Sequence, residues 1–436
     1  MSDYLSITPA EREAMLGKIG VGDVSELYAD IPATLLKKKV KLSEGRSQQE
    51  TFRAMKALAA RNKNYDSVFL GAGSYNHYIP SVVKSLASRE EFLTAYTPYQ
   101  AEMSQGILQS VFEYQTMICR LTGMDVANAS HYSGATAAAE ACIMCADKTP
   151  KVVTFDNVNP DTLDTLGTYL SARKIELIEL PAKGGLATEL PESVGKAGAV
   201  YLESPNYYGL IENVSAVAES GKAHGAAVIL GCNPLSLALF KTPRELGADV
   251  AVGDGQPFGM PLSFGGPYLG YIAVTKDRMR KLPGRIVGET TDADGRRAYV
   301  LTLQAREQHI RRERATSNIC SNQAHCALTA AIYLAAMGPQ GLKDVATVCA
   351  SNAHYLASKL ESVGAKRFYN GEFFHEFVTV TPFKAADILR ALDARGILGG
   401  LALDEHRILW CCTEMNTKAD MDAVVETVEA TYANFV

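Results

Sequence analysis

Between residues 65 and 314, short apolar and β-branched runs alternate with stretches of helical pattern. Six of these runs have the length and composition of buried strands: KVVTF (151–155), IELIEL (175–180), AGAVYLE (197–203), GAAVILG (225–231), ADVAVG (248–253) and LGYIAV (269–274). Strands that alternate with helices pair in parallel, with the helices crossing over the faces of the sheet. With 436 residues, 47% of them apolar, the chain can bury both faces of such a sheet. The pattern predicts an α/β fold with a mostly parallel sheet.

Two flanking regions depart from this alternation. Near the N-terminus, Thr8-Pro9-Ala10-Glu11 has the order of a helix cap and predicts a helical arm. The C-terminal region predicts helices at 342–362, 385–395 and 419–433 and strands at 376–381 and 407–412. We therefore expect three parts: a helical N-terminal arm (1–64), a large α/β domain (65–330) and a small C-terminal α+β domain (331–436).

A large parallel-sheet domain followed by a small α+β domain is the architecture of aminotransferase-like enzymes, the fold type I transferases that use pyridoxal phosphate (PLP). These enzymes hold PLP as a Schiff base on a lysine, and an acidic residue on an earlier strand end keeps the pyridine nitrogen protonated. Here Gly231 stands where the acid is expected, and Gln256 stands where the lysine is expected. We therefore expect no covalent PLP site in this chain. A stand-alone PLP enzyme would have to use Lys241 or Lys276, the nearest lysines.

The segment HYSGATAAAEA (131–141) runs from a Ser/Gly turn into a helix. Free backbone N–H groups at such a helix start can hold a phosphate. Ser133 is also a good N-cap residue in its own right. The sequence leaves both interpretations of Ser133 open.

Charge and hydropathy exclude several classes of function. The chain has 48 acidic and 43 basic side chains, so it has no basic footprint for nucleic acid. Its longest apolar stretch, Cys326 to Gly338, is too short to span a bilayer. Asp3, Glu11 and Glu13 stand where a signal or transit peptide would be positive. We expect a cytoplasmic protein that binds neither membrane nor nucleic acid.

The cysteines and histidines show no metal or disulfide pattern. Nine cysteines are an odd number, and the one CxxC, Cys142 to Cys145, lies in an alanine-rich helical run. The eight histidines are scattered, without an HExxH or HxH pair. We expect no metal site.

Two long segments carry a family resemblance: TPYQAEMSQGILQSVFEYQTMICRLTGMDVANAS (97–130) and PGRIVGETTDADGRRAYVLTLQAREQHIRRERATSNICSNQA (283–324). Both resemble the N-terminal half of the glycine cleavage system P-protein, the glycine decarboxylase family. The N-terminal arm and GDGQPFGMPLSFGGPYLG (253–270) are similar to the same family. Many bacteria split this enzyme into two homologous chains. The length of this chain, and its missing lysine, resemble the α chain of the split form.

The resemblance implies a PLP-dependent activity shared between chains. A partner β chain would bind PLP covalently, in an assembly of two α and two β chains. The pair would decarboxylate glycine and transfer the aminomethyl group to the lipoyl arm of the H-protein, whose disulfide is the oxidant. A different interpretation remains open, in which this chain is an inert scaffold that stabilises β and docks the H-protein.

The resemblance also implies site residues. In aminotransferase-like dimers the loop after the lysine strand reaches the neighbour's cofactor phosphate, and here that loop is RRERATSNIC (311–320). Its expected phosphate-binding residues are Thr316, Ser317, Asn318 and Arg312. Hydroxyl, amide and guanidinium groups are suited to that role because they donate hydrogen bonds to phosphate. From the residues alone, the segment could equally be a charged helix.

A second expected set lines the substrate cleft and consists of Tyr96, Tyr99 and Gln100. Aromatic residues beside a proline can also be ordinary packing residues. The arginines at 306, 311, 312 and 314 could face the H-protein, a neighbouring subunit or solvent.

Overall fold

The computed structural model describes residues 6–36, 43, 45–94 and 97–433. Two compact units make up the chain, residues 1–64 and residues 65–436. In the first unit, helices α1 (Pro9–Ile19) and α2 (Gln48–Ala59) each begin at a capping box. At α1, Glu11 N donates to Thr8 Oγ1 (3.3 Å) and Thr8 N donates to the Glu11 carboxylate (2.7 Å). This confirms the helix predicted from Thr8 to Glu11.

The second unit contains fifteen strands among its described residues, several of them only two residues long. They are β1 (Ser67–Val68), β2 (Val126–Ala127), β3 (Lys151–Phe155), β4 (Glu176–Leu180), β5 (Ala199–Glu203), β6 (Ala227–Gly231), β7 (Val250–Asp254), β8 (Gly270–Val274), β9 (Ile286–Thr291), β10 (Arg297–Thr302), β11 (Lys366–Arg367), β12 (Glu376–Val380), β13 (Ile397–Leu398), β14 (Leu401–Ala402) and β15 (Arg407–Cys411).

The α-helices of this unit flank and connect the strands. They are α3 (Ser81–Ala87), α4 (Glu90–Leu93), α5 (Gln105–Thr122), α6 (Gly134–Cys145), α7 (Pro160–Ala172), α8 (Val214–Ala223), α9 (Gln308–Arg311), α10 (Ala324–Ser362), α11 (Ala385–Ala394) and α12 (Lys418–Ala433). Within the described part of the chain, no helix is both long enough and apolar enough to cross a membrane.

A seven-stranded sheet in the order β2-β8-β7-β6-β5-β3-β4 forms the centre of this unit. Strands β3 to β7 are parallel, and β8 runs antiparallel to both of its neighbours. Alternate residues enter two hydrophobic clusters, as in β6, where Val228 and Leu230 belong to one cluster and Ile229 to the other. The mostly parallel sheet expected from the six apolar runs is confirmed.

A smaller antiparallel sheet, β11-β12-β15-β14, packs with α11 and α12 around the buried Trp410. Its strands and helices agree closely with the elements predicted for the C-terminal region. The helix predicted at 342–362 is the second part of α10, which bends where Gly338 adopts φ +61° before Pro339. This helix spans the boundary that the sequence placed at residue 330.

Candidate functional site

A cleft lies where the parallel strands β5, β6 and β7 end. Their last residues, Glu203, Gly231 and Asp254, all line a cavity of about 250 Å³. The N-terminus of α6 closes one side, and the loop Ala72–Tyr75 and Glu376 of β12 close another. In open α/β sheets, ligands bind at this edge, outside the carboxyl ends of the strands. The sheet therefore places both positions singled out from the sequence, 231 and 256, at or beside its usual ligand-binding edge.

Position 231 has no room for an acidic side chain. A Cβ atom on Gly231 would lie 2.6 Å from the Tyr201 hydroxyl and 3.0 Å from Cγ of Glu203. The Tyr201 hydroxyl donates a hydrogen bond to Glu203 Oε1 at 2.8 Å, so these two side chains hold each other in that space. The volume that a carboxylate would need is filled from within the chain.

Gln256 is buried and uses its whole amide group in the structure. Its Nε2 donates to the backbone oxygens of Tyr75 (2.9 Å) and Met260 (2.8 Å), and its Oε1 accepts from Tyr75 N (3.0 Å). These bonds fasten the loop around Tyr75 to the end of β7. Gln256 is thus a structural residue at the end of β7, with no free donor left for a ligand; its equivalence to the Schiff-base lysine stays a prediction.

The helix start at Ser133 is capped by the protein itself. Ser133 and Thr136 form a capping box, and Gly134 N donates to Asp254 Oδ2 at 3.0 Å. Asp254 also accepts from the backbone N–H groups of Gln256 (3.0 Å) and Leu269 (3.3 Å). Asp254 therefore accepts from the first N–H group of α6, which supports the capping interpretation of Ser133.

The cleft is acidic, and three of its carboxyl groups are buried. Burial raises the pKa of Glu203, Asp254 and Glu376 above their ordinary values, to about 7 for Glu376. Among the described residues, no lysine, arginine or histidine lines it. The residues present do not fit covalently bound PLP, because they offer no lysine for a Schiff base and no acid at position 231.

The two nearest lysines do not replace the missing one. Strand β8 is antiparallel to β7, with Val274 opposite Val250, so Lys276 lies at the amino end of β7. The cleft is at the other end of that strand. Lys241 is also absent from the cleft lining. The positions of Lys241 and Lys276 therefore argue against a stand-alone PLP enzyme that uses either of them.

The segment 311–320 is extended after a short 3-10 turn (Arg312–Arg314), and it is not the charged helix that the residues alone allowed. From Ala315 to Cys320 its side chains alternate strictly between buried and exposed. Thr316 and Asn318 are exposed, as is Arg312, which has φ +53°. Three of the four expected phosphate-binding residues therefore face outward.

Ser317, the fourth, faces inward. Its hydroxyl donates to Glu140 Oε1 at 2.7 Å and accepts from Ile319 N at 3.1 Å. Arg173 donates to the backbone oxygen of Thr316 at 2.9 Å. Ser317 thus positions the segment, and its only hydroxyl proton is used within the chain. In an extended segment, successive side chains point to opposite sides. Applied to ATSNIC (315–320), this rule would have placed Thr316 and Ser317 on opposite sides.

Glu140 was missed as well, although the sequence contained a signal. It is the one charged residue in the alanine-rich run of α6, and a buried carboxylate needs a partner. Burial raises the pKa of Glu140, while the bond from Ser317 and the charge of Arg173 oppose that rise. The helix that begins at the cleft thereby supports the segment that carries Thr316.

Of the residues expected in the substrate cleft, Tyr96 lies outside the described residues. Gln100 is exposed. Tyr99 is half exposed, and its hydroxyl accepts from Arg285 Nη2 at 3.0 Å. Arg285 is buried beside Glu307, with Nε 3.9 Å from Oε2. Through Arg285 and Glu307, the structure connects Tyr99 to the residues just before the segment 311–320, and not to the strand-end cleft.

Three potential metal ligands meet elsewhere in this unit. His77 Nδ1 and Cys349 Sγ lie 2.8 Å and 3.3 Å from Glu414 Oε2, and the three ligand atoms lie within 4.8 Å of one another. Burial raises the pKa of the Cys349 thiol, so it is a hydrogen-bond donor to the carboxylate. Sequence spacing could not find this group because its members come from three distant segments. The expected absence of a metal stays a prediction.

The fold defines the class: a mostly parallel α/β sheet shared with PLP-dependent proteins of the aminotransferase fold, here with Gly231 and Gln256 at or beside the strand-end cleft. An alanine–glyoxylate aminotransferase from Nostoc sp. shares this fold at a TM-score of 0.60 and 15% identity, over 91% of this chain and 99% of that one. The glycine cleavage system P-protein family matches residues 2–428. The chain belongs to that family, which confirms the resemblance seen in the sequence.

Two relatives are similar over nearly the whole chain. The first is a probable glycine dehydrogenase (decarboxylating) subunit 1 from Moorella thermoacetica, 47% identical over 99% of this chain and 100% of the relative. The second is the crystal structure of a glycine decarboxylase (P-protein) of the glycine cleavage system in inhibitor-bound form. It is 41% identical, with a TM-score of 0.91, over 98% of this chain and 100% of that one.

The raised pKa of Glu376 predicts a pH dependence of stability. Burial raises it from 4.5 to about 7, while Ala72 N–H (2.7 Å) and the Tyr75 hydroxyl (2.8 Å) oppose the rise. A carboxyl with a higher pKa in the folded state binds a proton on folding. Its contribution to the free energy of unfolding is therefore full below pH 4.5 and falls by about 3 kcal/mol as pH rises to 7.

We expect Glu376→Gln to remove this part of the pH dependence, so that the variant exceeds the wild type in stability at pH 8 but not at pH 4.5. Urea unfolding of the full chain across this range measures it. The matched control is Glu372→Gln, an exposed neighbour whose variant keeps the wild-type slope. Equal slopes for Glu376→Gln and wild type would contradict the assignment.

Proposed function

We propose that this chain is the non-lysine-bearing subunit of a heteromeric glycine decarboxylase of the glycine cleavage system. A homologous partner subunit holds PLP. The pair decarboxylates glycine and transfers the aminomethyl group to the lipoyl arm of an H-protein. The observation that carries the proposal is Gln256, whose amide is fully hydrogen-bonded at the lysine position in a family member matched over nearly its whole length.

The proposal includes a defined contribution from this chain to the partner's site. Thr316 and Asn318 project from the segment that Glu140, through Ser317, and Arg173 hold extended. Thr316 would donate its hydroxyl proton to the phosphate of the partner's PLP, and Asn318 and Arg312 would add further donors. When bound in the partner, PLP supplies the electron sink for the loss of the glycine carboxylate.

Tyr99 and Arg285 support a second contribution. The buried guanidinium of Arg285 lies 5.2 Å from the centre of the Tyr99 ring and donates to its hydroxyl, so this half-exposed ring has a fixed orientation. We propose that Tyr99, with Gln100 and Tyr96, lines the substrate cleft of the partner. The assembly would contain two copies of each subunit.

The first test is activity on mixing. Exchange of the glycine carboxyl group with bicarbonate, in the presence of lipoyl H-protein, is expected only when this chain and its partner are combined. Each chain alone is the control. Full exchange by either one alone would contradict the proposal.

The second test separates a contributing subunit from a scaffold. Loss of one hydrogen bond to a charged group costs on the order of 1.5 to 3 kcal/mol, so Thr316→Ala should weaken PLP binding by the assembled complex roughly 10- to 150-fold. Thr316→Ser keeps the hydroxyl and should stay within about threefold of wild type. PLP titration of the reconstituted complexes gives these affinities.

The matched control is Thr347→Ala, an exposed threonine on α10 whose hydroxyl bonds only its own helix (2.7 Å to Lys343 O). Sedimentation of each complex checks that assembly is intact. An affinity of Thr316→Ala within about twofold of wild type would favour the scaffold. It would also remove Thr316 from the site.

A further inference from the structure

A second cavity, of about 280 Å³, lies behind the segment 311–320. Its walls are the loop 280–284, the segment 306–319 and the end of α6 with Met144 and Asp147. Five basic side chains line it: Arg280, Lys281, Arg306, Arg311 and Arg314. We call it the basic cavity. Its lining carries two carboxylates, Asp147 and Glu307, so cations are in excess.

Those two carboxylates already have partners. Asp147 pairs with Lys281, with Nζ and Oδ2 3.0 Å apart. Glu307 Oε2 lies between Arg285 Nε (3.9 Å) and His309 Nδ1 (3.7 Å). Arg314 approaches one carboxylate of the described residues, that of its chain neighbour Glu313, at 3.9 Å. Among the described residues, Arg280, Arg306 and Arg311 form no ion pair with a carboxylate.

Arg306 is the lining residue whose guanidinium group is held most firmly by the protein. Its Nε donates to Leu303 O and its Nη2 to Gly284 O, both at 3.0 Å, so the guanidinium is fixed in place. Its Nη1 is buried, with no acceptor among the described residues. Burial lowers the pKa of Arg306, which shows that the surroundings disfavour its charge. A buried guanidinium N–H without an acceptor is costly unless an acceptor arrives with a ligand.

We propose that the basic cavity binds the phosphate group of a small molecule. Three guanidinium groups without a carboxylate partner match a doubly charged phosphate better than a singly charged carboxylate, and their planar forks suit its oxygens. The proposal does not rest on the proposed function, because the chain alone contains all of these groups.

The test is titration of the isolated full-length chain with inorganic phosphate, followed by calorimetry at constant ionic strength. Chloride and acetate are the control anions. Saturable binding of one phosphate per chain is expected, and Arg311→Gln should weaken it at least about tenfold. The Arg311 side chain is exposed and has no hydrogen-bond or ion-pair partner within the described part of the chain, so this variant should fold. Arg306→Lys, which keeps the charge but loses the fork, should also weaken binding.

The matched control is Arg296→Gln, an exposed arginine of the turn between β9 and β10, which should bind phosphate as the wild type does. No saturable binding beyond that of chloride would overturn the proposal. So would equal binding by wild type and Arg311→Gln.

Repeating the titration on the complex with a PLP-bearing partner identifies the source of the phosphate. Continued uptake of one phosphate per chain would assign the cavity to a free phosphate compound. Loss of uptake with PLP present, restored when PLP is removed, would assign it to the cofactor's own phosphate. Both results support the site, and neither alters the outcome of the activity test on mixing.

Discussion

The three hydrogen bonds of the Gln256 amide fix the edge of the sheet on which the rest of the site depends. They hold Tyr75 by both its N–H and its carbonyl, and the same residue's hydroxyl donates to Glu376 of the small sheet. The loop over the strand ends is thereby joined to both sheets. An amide can make these bonds without charge, whereas a lysine ammonium has no acceptor for the Tyr75 N–H. Gln256 therefore holds in place the loop that forms one side of the strand-end cleft.

Two cavities of this unit are lined by side chains of opposite charge. The strand-end cleft collects Glu203, Asp254 and Glu376, whose burial favours their neutral forms. The basic cavity collects arginines behind the segment that presents Thr316. Helix α6 joins the two, since Gly134 at its start bonds Asp254 and Glu140 in its middle bonds Ser317. The chain therefore collects acidic side chains in the strand-end cleft and basic side chains behind the segment 311–320.

The strands could be predicted because a buried parallel strand needs a nearly continuous apolar run, as KVVTF and GAAVILG show. Gly231 and Gln256 could be assigned to strand ends for the same reason. The direction of individual side chains could not be predicted so well. Thr316 and Ser317 are neighbours of similar chemistry, but extended backbone turns them to opposite sides, and only the position of Glu140 decides which one faces inward. The hydrogen bond between Gly134 N and Asp254 could not be predicted either, because the two residues are 120 positions apart in the chain.

We propose that PLP is held by a partner and not by this chain. Incubation of the isolated chain with PLP, followed by borohydride reduction and peptide mapping, tests it directly, because borohydride fixes any lysine Schiff base to the cofactor. We expect that no lysine of this chain is labelled stoichiometrically, while the partner chain treated in the same way carries one label per subunit. Stoichiometric labelling of any single lysine in this chain, Lys241 and Lys276 included, would contradict it.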